Sequence, residues 1–113
     1  MGAKIASPIV KDKIKIGTYT GDSNATQAIT GVGFQPDSVQ IIPNENGTAP
    51  TSRPMIKTNS MGPNTYLSFA LDYLPDIIIS FDADGFTVGD GTGSSNYANT
   101  LGRIYSYIAL KGF

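Results

Sequence analysis

The stretch Asp76-Ile-Ile-Ile-Ser-Phe-Asp-Ala-Asp-Gly-Phe-Thr-Val-Gly89 decides the fold. Its β-branched run favours a pleated, packed surface. Pro75 bounds the run on one side and Asp82-Ala-Asp-Gly85 on the other, and Phe86-Thr-Val-Gly89 returns at hairpin spacing.

Working outward, the same grammar recurs. Thirteen glycines and seven prolines punctuate 113 residues, which leaves little room for helices and ample room for short strands. Lys13 to Thr20 reads as the first strand, with Ile14, Ile16 and Thr18 on one face and Lys13, Lys15 and Tyr19 on the other, as in a half-buried strand. Gly21-Asp-Ser-Asn24 turns the chain. Short strands follow at Thr26 to Thr30 and at Ser38 to Pro43, the second bracketed by Pro36 and Pro43 with Val39 and Ile41 inward. Asn44 to Ser52 has loop composition, and Arg53 to Thr58 reads as a strand. Thr65 to Leu74 fits both alternation and helical spacing, and its context favours a strand at Thr65 to Phe69. Gly89 to Thr100 is a long connection into a final strand, Arg103 to Lys111.

That last strand places Ile104, Ser106, Ile108 and Leu110 on one face and Tyr105, Tyr107 and Ala109 on the other. Both faces are apolar or aromatic, so the strand sits centrally or has one face covered by another subunit. The whole predicts an all-β fold, an antiparallel β-sandwich of jelly-roll-like type with about eight short strands.

Composition narrows function by exclusion. The chain has no cysteine and no histidine, so disulfides, thiolate or imidazole metal sites and histidine-dependent triads are unavailable within it. No apolar run reaches membrane-spanning length, and Met1 to Val10 is too weakly hydrophobic for a signal peptide. Asn24-Ala-Thr26 and Asn46-Gly-Thr48 match the glycosylation pattern but read as turns. With 40% apolar residues and a formal charge of −1, one globular domain with its own core is expected.

Three motifs invite chemistry. Asp82-Ala-Asp-Gly85 with Asp90 gathers hard oxygens, yet its spacing fails a calcium loop and a tight turn is preferred. Gly89-Asp-Gly-Thr-Gly93 lacks the lysine and helix start of a phosphate cradle. Asp72 with Asp76, and Asp82 with Asp84, are the close carboxylate pairs a glycosidase needs, but exposed turn aspartates explain them. The expectation is no enzyme, with no catalytic residue, cofactor or metal.

Charge is uneven. Lys4, Lys11, Lys13 and Lys15 supply four of the eight basic residues within the first fifteen positions, where Asp12 alone is acidic. Such a leader either docks on an acidic surface or is simply solvated. The acidic body argues against nucleic acid. Six tyrosines offer rings with polar tips for binding or packing, with Tyr97 the exposed loop candidate.

Gly17-Thr-Tyr-Thr-Gly21, Gln27-Ala-Ile-Thr-Gly-Val-Gly-Phe-Gln-Pro-Asp37, Ser80 to Gly89 and Tyr105-Ser-Tyr-Ile-Ala109 together resemble a β-sandwich module recurring in virion proteins of tailed bacteriophages. The resemblance spans residues 14 to 111. It implies a structural role in head decoration or in tail-fibre attachment, without catalytic residues. It also implies tight turns at Gly21 and Gly31, core positions for Phe34 and Phe86, and strand entry set by Pro36.

A chain that begins at Met1 and stops just after its last strand fits a small protein attached to a shell. The resulting expectation is an arm over residues 1–13 and a sandwich over 14–113. They form a capsid decoration protein, homotrimeric on the major capsid protein, made in the host cytoplasm and resident on the virion. Lys4, Lys11, Lys13 and Lys15 are the candidate capsid contacts, and Tyr105 and Tyr107 the candidate subunit interface. No nucleic acid or membrane is involved. The alternative is a tail or fibre module whose loops, Asn44 to Ser52 and Gly89 to Thr100, bind a host surface receptor or glycan.

Overall fold

The computed structural model describes residues 13–44, 54–62, 64–67, 72–89 and 98–112; the side chains of 67 and 72–74 lie outside that description. Nine strands occur among these residues: β1 Lys13–Thr20, β2 Thr26–Ile29, β3 Ser38–Pro43, β4 Met55–Thr58, β5 Asn64–Leu67, β6 Asp72–Pro75, β7 Ile78–Asp82, β8 Gly85–Gly89 and β9 Ile104–Lys111. They form two antiparallel sheets, a larger one in the order β1-β9-β3-β4-β5-β6 and a smaller one in the order β2-β8-β7.

The hairpin anticipated at Asp76 to Gly89 is β7–β8, closed where Asp82 pairs Gly85 across Ala83 and Asp84. The ambiguous segment resolves as a strand pair rather than a helix. β5 and β6 run antiparallel with Tyr66 opposite Tyr73, and Phe69 lies outside the described residues. Asp76, at φ 63°, follows Pro75 where the chain leaves the large sheet for the small one. Thr65 ties the sheets together there: its hydroxyl accepts the Ile78 N–H at 3.0 Å.

Between the sheets lies one core. From the large sheet come Tyr19, Tyr105, Tyr107, Ala109, Val39, Ile41 and Met55; from the small sheet and loops come Ile29, Phe86, Val88, Ile78, Phe34 and Val32. Its centre is aromatic. Tyr19 stacks on Tyr105 with ring centroids 4.9 Å apart, and Phe86 meets Tyr107 edge-on at 5.1 Å, both favourable quadrupole arrangements.

Two expectations are corrected here. Ile14 and Ile16 do not face the core: they are 58% and 70% exposed, while Tyr19 on the opposite face is buried. Alternation specifies that a strand has two faces but not which face a second sheet covers, and the small sheet covers the tyrosine side. For the same reason Tyr105 and Tyr107, at 0% and 4% exposure, belong to the core of a single chain and not to a subunit interface.

Gly17 explains how a tyrosine core fits beneath an edge strand. It lies opposite Tyr107 in the register, and a β-carbon there would come within 2.7 Å of the Tyr107 hydroxyl. The missing side chain lets the ring lie across β1.

Candidate functional site

The acidic turn is occupied by its own neighbours. One Asp84 oxygen accepts the Gly31 N–H at 2.9 Å and the other the Gly33 N–H at 2.7 Å. These backbone donors, Gly31 first, hold its carboxyl below the usual carboxylate range. Gly31 and Gly33 have φ of 83° and 97°, a conformation that glycine adopts without steric cost. Asp82 accepts from the Ser80 hydroxyl at 2.8 Å and the Thr87 hydroxyl at 2.6 Å. Among the described residues no group of three acidic, histidine or cysteine side chains could hold a metal. Asp90, Gly91, Gly93 and Tyr97 lie outside the described residues, as does the Asp72 side chain.

A second polar cluster closes the end of the sandwich beside Tyr19. Buried Asn99 donates to an Asp22 carboxylate oxygen at 2.8 Å and to the Asn24 carbonyl at 3.0 Å, and its amide oxygen accepts the Asp22 N–H at 3.0 Å. The Asn24 N–H and then the Asn99 amide depress the Asp22 carboxyl. Tyr19 donates its hydroxyl to the Ala98 carbonyl at 2.8 Å, and Tyr105 accepts the Thr100 N–H at 3.0 Å. Together these hydrogen bonds clamp the 98–103 segment onto the turn at Gly21–Asn24.

Buried Lys57 is likewise structural. Its ammonium donates to the Gly62 carbonyl and, at 2.9 Å, to the Asn64 carbonyl, capping the turn between β4 and β5. Desolvation lowers its pKa.

Two surfaces of the large sheet remain. The first is cationic. Lys4 and Lys11 lie outside the described residues, whereas Lys13 and Lys15 are exposed on β1. The register sets Lys111 directly opposite Lys13 and Ala109 opposite Lys15, so three ammonium groups share one end of the β1–β9 ribbon. Asp37, close to the end of β9, is engaged by the Gly112 N–H at 2.8 Å and the Asn59 amide at 3.3 Å. Lys111 escapes a reading by local charge runs because it stands 98 positions from Lys13; its signal was the pairing of first and last strands.

The second surface is the outer face of the same sheet. Ile14, Ile16, Thr18 and Thr20 of β1 stand opposite Leu110, Ile108, Ser106 and Ile104 of β9. β3 continues the face with Ser38, Gln40 and Ile42, and β4 with Ile56 and Thr58. None of these residues is charged. The loops of the receptor-binding alternative, by contrast, fall largely outside the described residues.

No curated protein and no solved structure matches this chain. Residues 11–111 match the family described as a domain of unknown function, DUF7483, and the chain belongs to that family.

Proposed function

We propose that the protein is a virion structural protein, a capsid decoration protein that attaches to the assembled phage head as a homotrimer and cements neighbouring copies of the major capsid protein. The observation that carries this reading is the cluster of Lys13, Lys15 and Lys111 on one end of the β1–β9 ribbon, preceded in the sequence by Lys4 and Lys11. Like charges brought opposite one another repel, and an acidic partner surface relieves that repulsion.

The mechanism is multivalent. Each exposed lysine contact is weak and screened by salt, but three copies held together present several at once, and the second and third engagements are intramolecular. By spanning subunit boundaries the assembly resists internal pressure. No bond is made or broken, so the role requires neither catalytic residue nor cofactor, and the protein resides on the capsid surface.

Co-sedimentation with expanded heads built from the same phage's major capsid protein tests the reading. Deletion of residues 2–12, and separately the triple substitution Lys13→Glu, Lys15→Glu, Lys111→Glu, is expected to abolish occupancy, and raising salt is expected to weaken it. Undiminished occupancy by both variants would overturn the electrostatic docking.

A further inference from the structure

We propose that Met61 is a peroxide-oxidisable site of the folded chain, and that its setting commits the sulfur to one of the two sulfoxide epimers. The modification stands apart from whatever the protein binds.

The chain has three methionines, and Met1 lies outside the described residues. Met55 is 0% exposed and belongs to the core between the sheets. Met61 stands in the turn between β4 and β5 and is only half-buried. Methionine oxidation follows access to the sulfur, so the two residues part in their reactivity.

The turn gives the Met61 sulfur a fixed place. The Met61 N–H donates to the Thr58 carbonyl at 3.1 Å, and the Met61 carbonyl accepts the Asn64 N–H at 3.3 Å. Gly62 continues the turn at φ 63°, and the Lys57 ammonium donates to the Gly62 and Asn64 carbonyls. On this pinned backbone Met61 Sδ accepts the Thr58 N–H at 3.2 Å.

A thioether sulfur is a weak acceptor whose lone pairs lie on opposite sides of the C–S–C plane. The Thr58 N–H takes one side, which leaves the other to an oxidant. Hydrogen peroxide supplies the chemistry: the open lone pair attacks one peroxide oxygen, an S–O bond forms and the O–O bond breaks. The departing hydroxide takes the proton from the attacked oxygen and leaves as water. Sulfur is oxidised by two electrons and peroxide is reduced. The product is chiral, and its electron-poor sulfur no longer holds the Thr58 N–H. Methionine sulfoxide is the reversible rung of the oxidation ladder, and a sulfoxide reductase restores the thioether.

Peroxide titration of the full folded chain tests this. Trypsin cleaves after Lys57 and so puts Met55 and Met61 on separate peptides for mass spectrometry. Met61 is expected to oxidise while Met55 stays intact, whereas both react in urea. Two sulfoxide reductases, each specific for one epimer, read the stereochemistry of the digested product. The folded chain is expected to give one epimer in about fivefold excess, the bias that a hydrogen bond of ordinary net strength imposes, and chain oxidised in urea to give both equally. Amide exchange at Thr58 is expected to quicken by about fivefold on oxidation, and likewise in the unoxidised Met61→Leu variant, which removes the sulfur without adding oxygen. Equal epimers from the folded chain, a Met55 that reacts as fast as Met61, or a Thr58 amide unmoved by either change would each overturn the inference.

Discussion

Tyr19 and Tyr105 face each other across β1 and β9 with their rings stacked at 4.9 Å and 12°, and each hydroxyl holds a different residue of the same segment, Ala98 and Thr100. Apolar bodies fill the core while polar tips fasten the chain that leads into the last strand. Replacing Tyr19 by Phe keeps the stack and strands the Ala98 carbonyl. The expected cost is about 1 to 3 kcal/mol, read by chemical denaturation. Faster amide exchange at Ser23, which donates to the Asn99 carbonyl, would localise the effect.

Glycines at close approaches differ in what they press against. A β-carbon on Gly21 would collide with the Thr100 backbone carbonyl, whereas one on Gly17 meets the Tyr107 ring. A ring yields more readily than a hydrogen-bonded backbone. Gly21→Ala is expected to cost about 3 kcal/mol and Gly17→Ala about 1 kcal/mol, and equal losses in urea melts would contradict that ordering.

Acid should loosen the turns held by Asp22 and Asp84. Both carboxyls sit below their ordinary value, so the folded state binds fewer protons than the unfolded one as pH falls. Their contribution is present above the unfolded pKa of about 3.9 and is lost as pH drops through the folded values. Thermal melts between about pH 2 and pH 6 should fall at the acid end, and Asp84→Asn should flatten that fall.

At the alkaline end the sign reverses. Burial, followed by the nearby Tyr105, raises the Tyr19 phenol far above its usual range, and burial, followed by Asp84, raises Tyr107. Raised acids contribute stability below the unfolded pKa of about 10 and lose it above. Ultraviolet titration should therefore show these two phenols ionising only together with loss of near-UV ellipticity. Smooth titration of every tyrosine near pH 10 in a folded chain would refute their burial.

The β7–β8 hairpin was legible because its signals are local: a β-branched run, a turn and a return within fourteen residues, Asp76 to Gly89. The strand from Ser38 to Pro43 was equally legible between its prolines, with Val39 and Ile41 buried as alternation required. The orientation of β1 was not. Local pattern favours its isoleucines over a face that carries Lys13 and Lys15, whereas the small sheet covers only the Gly17–Tyr19 end of that face and leaves the lysines exposed beyond it.

The lysine cluster shows the same division. Lys13 and Lys15 stand out in any charge count, but their meeting with Lys111 depends on the first strand pairing with the last, a contact invisible to short windows. The Asp22–Asn99 clamp likewise joins residues 77 positions apart.

Period, turns and composition thus determine that this chain is all-β, where its hairpin lies, and that cysteine and histidine chemistry is closed to it. Only the docking of the small sheet decides which face of the large one is core and which is left to water. That choice is collective: it depends on Phe86 meeting Tyr19 and Tyr107 across the sandwich, and it turns Ile14 and Ile16 from expected core into surface.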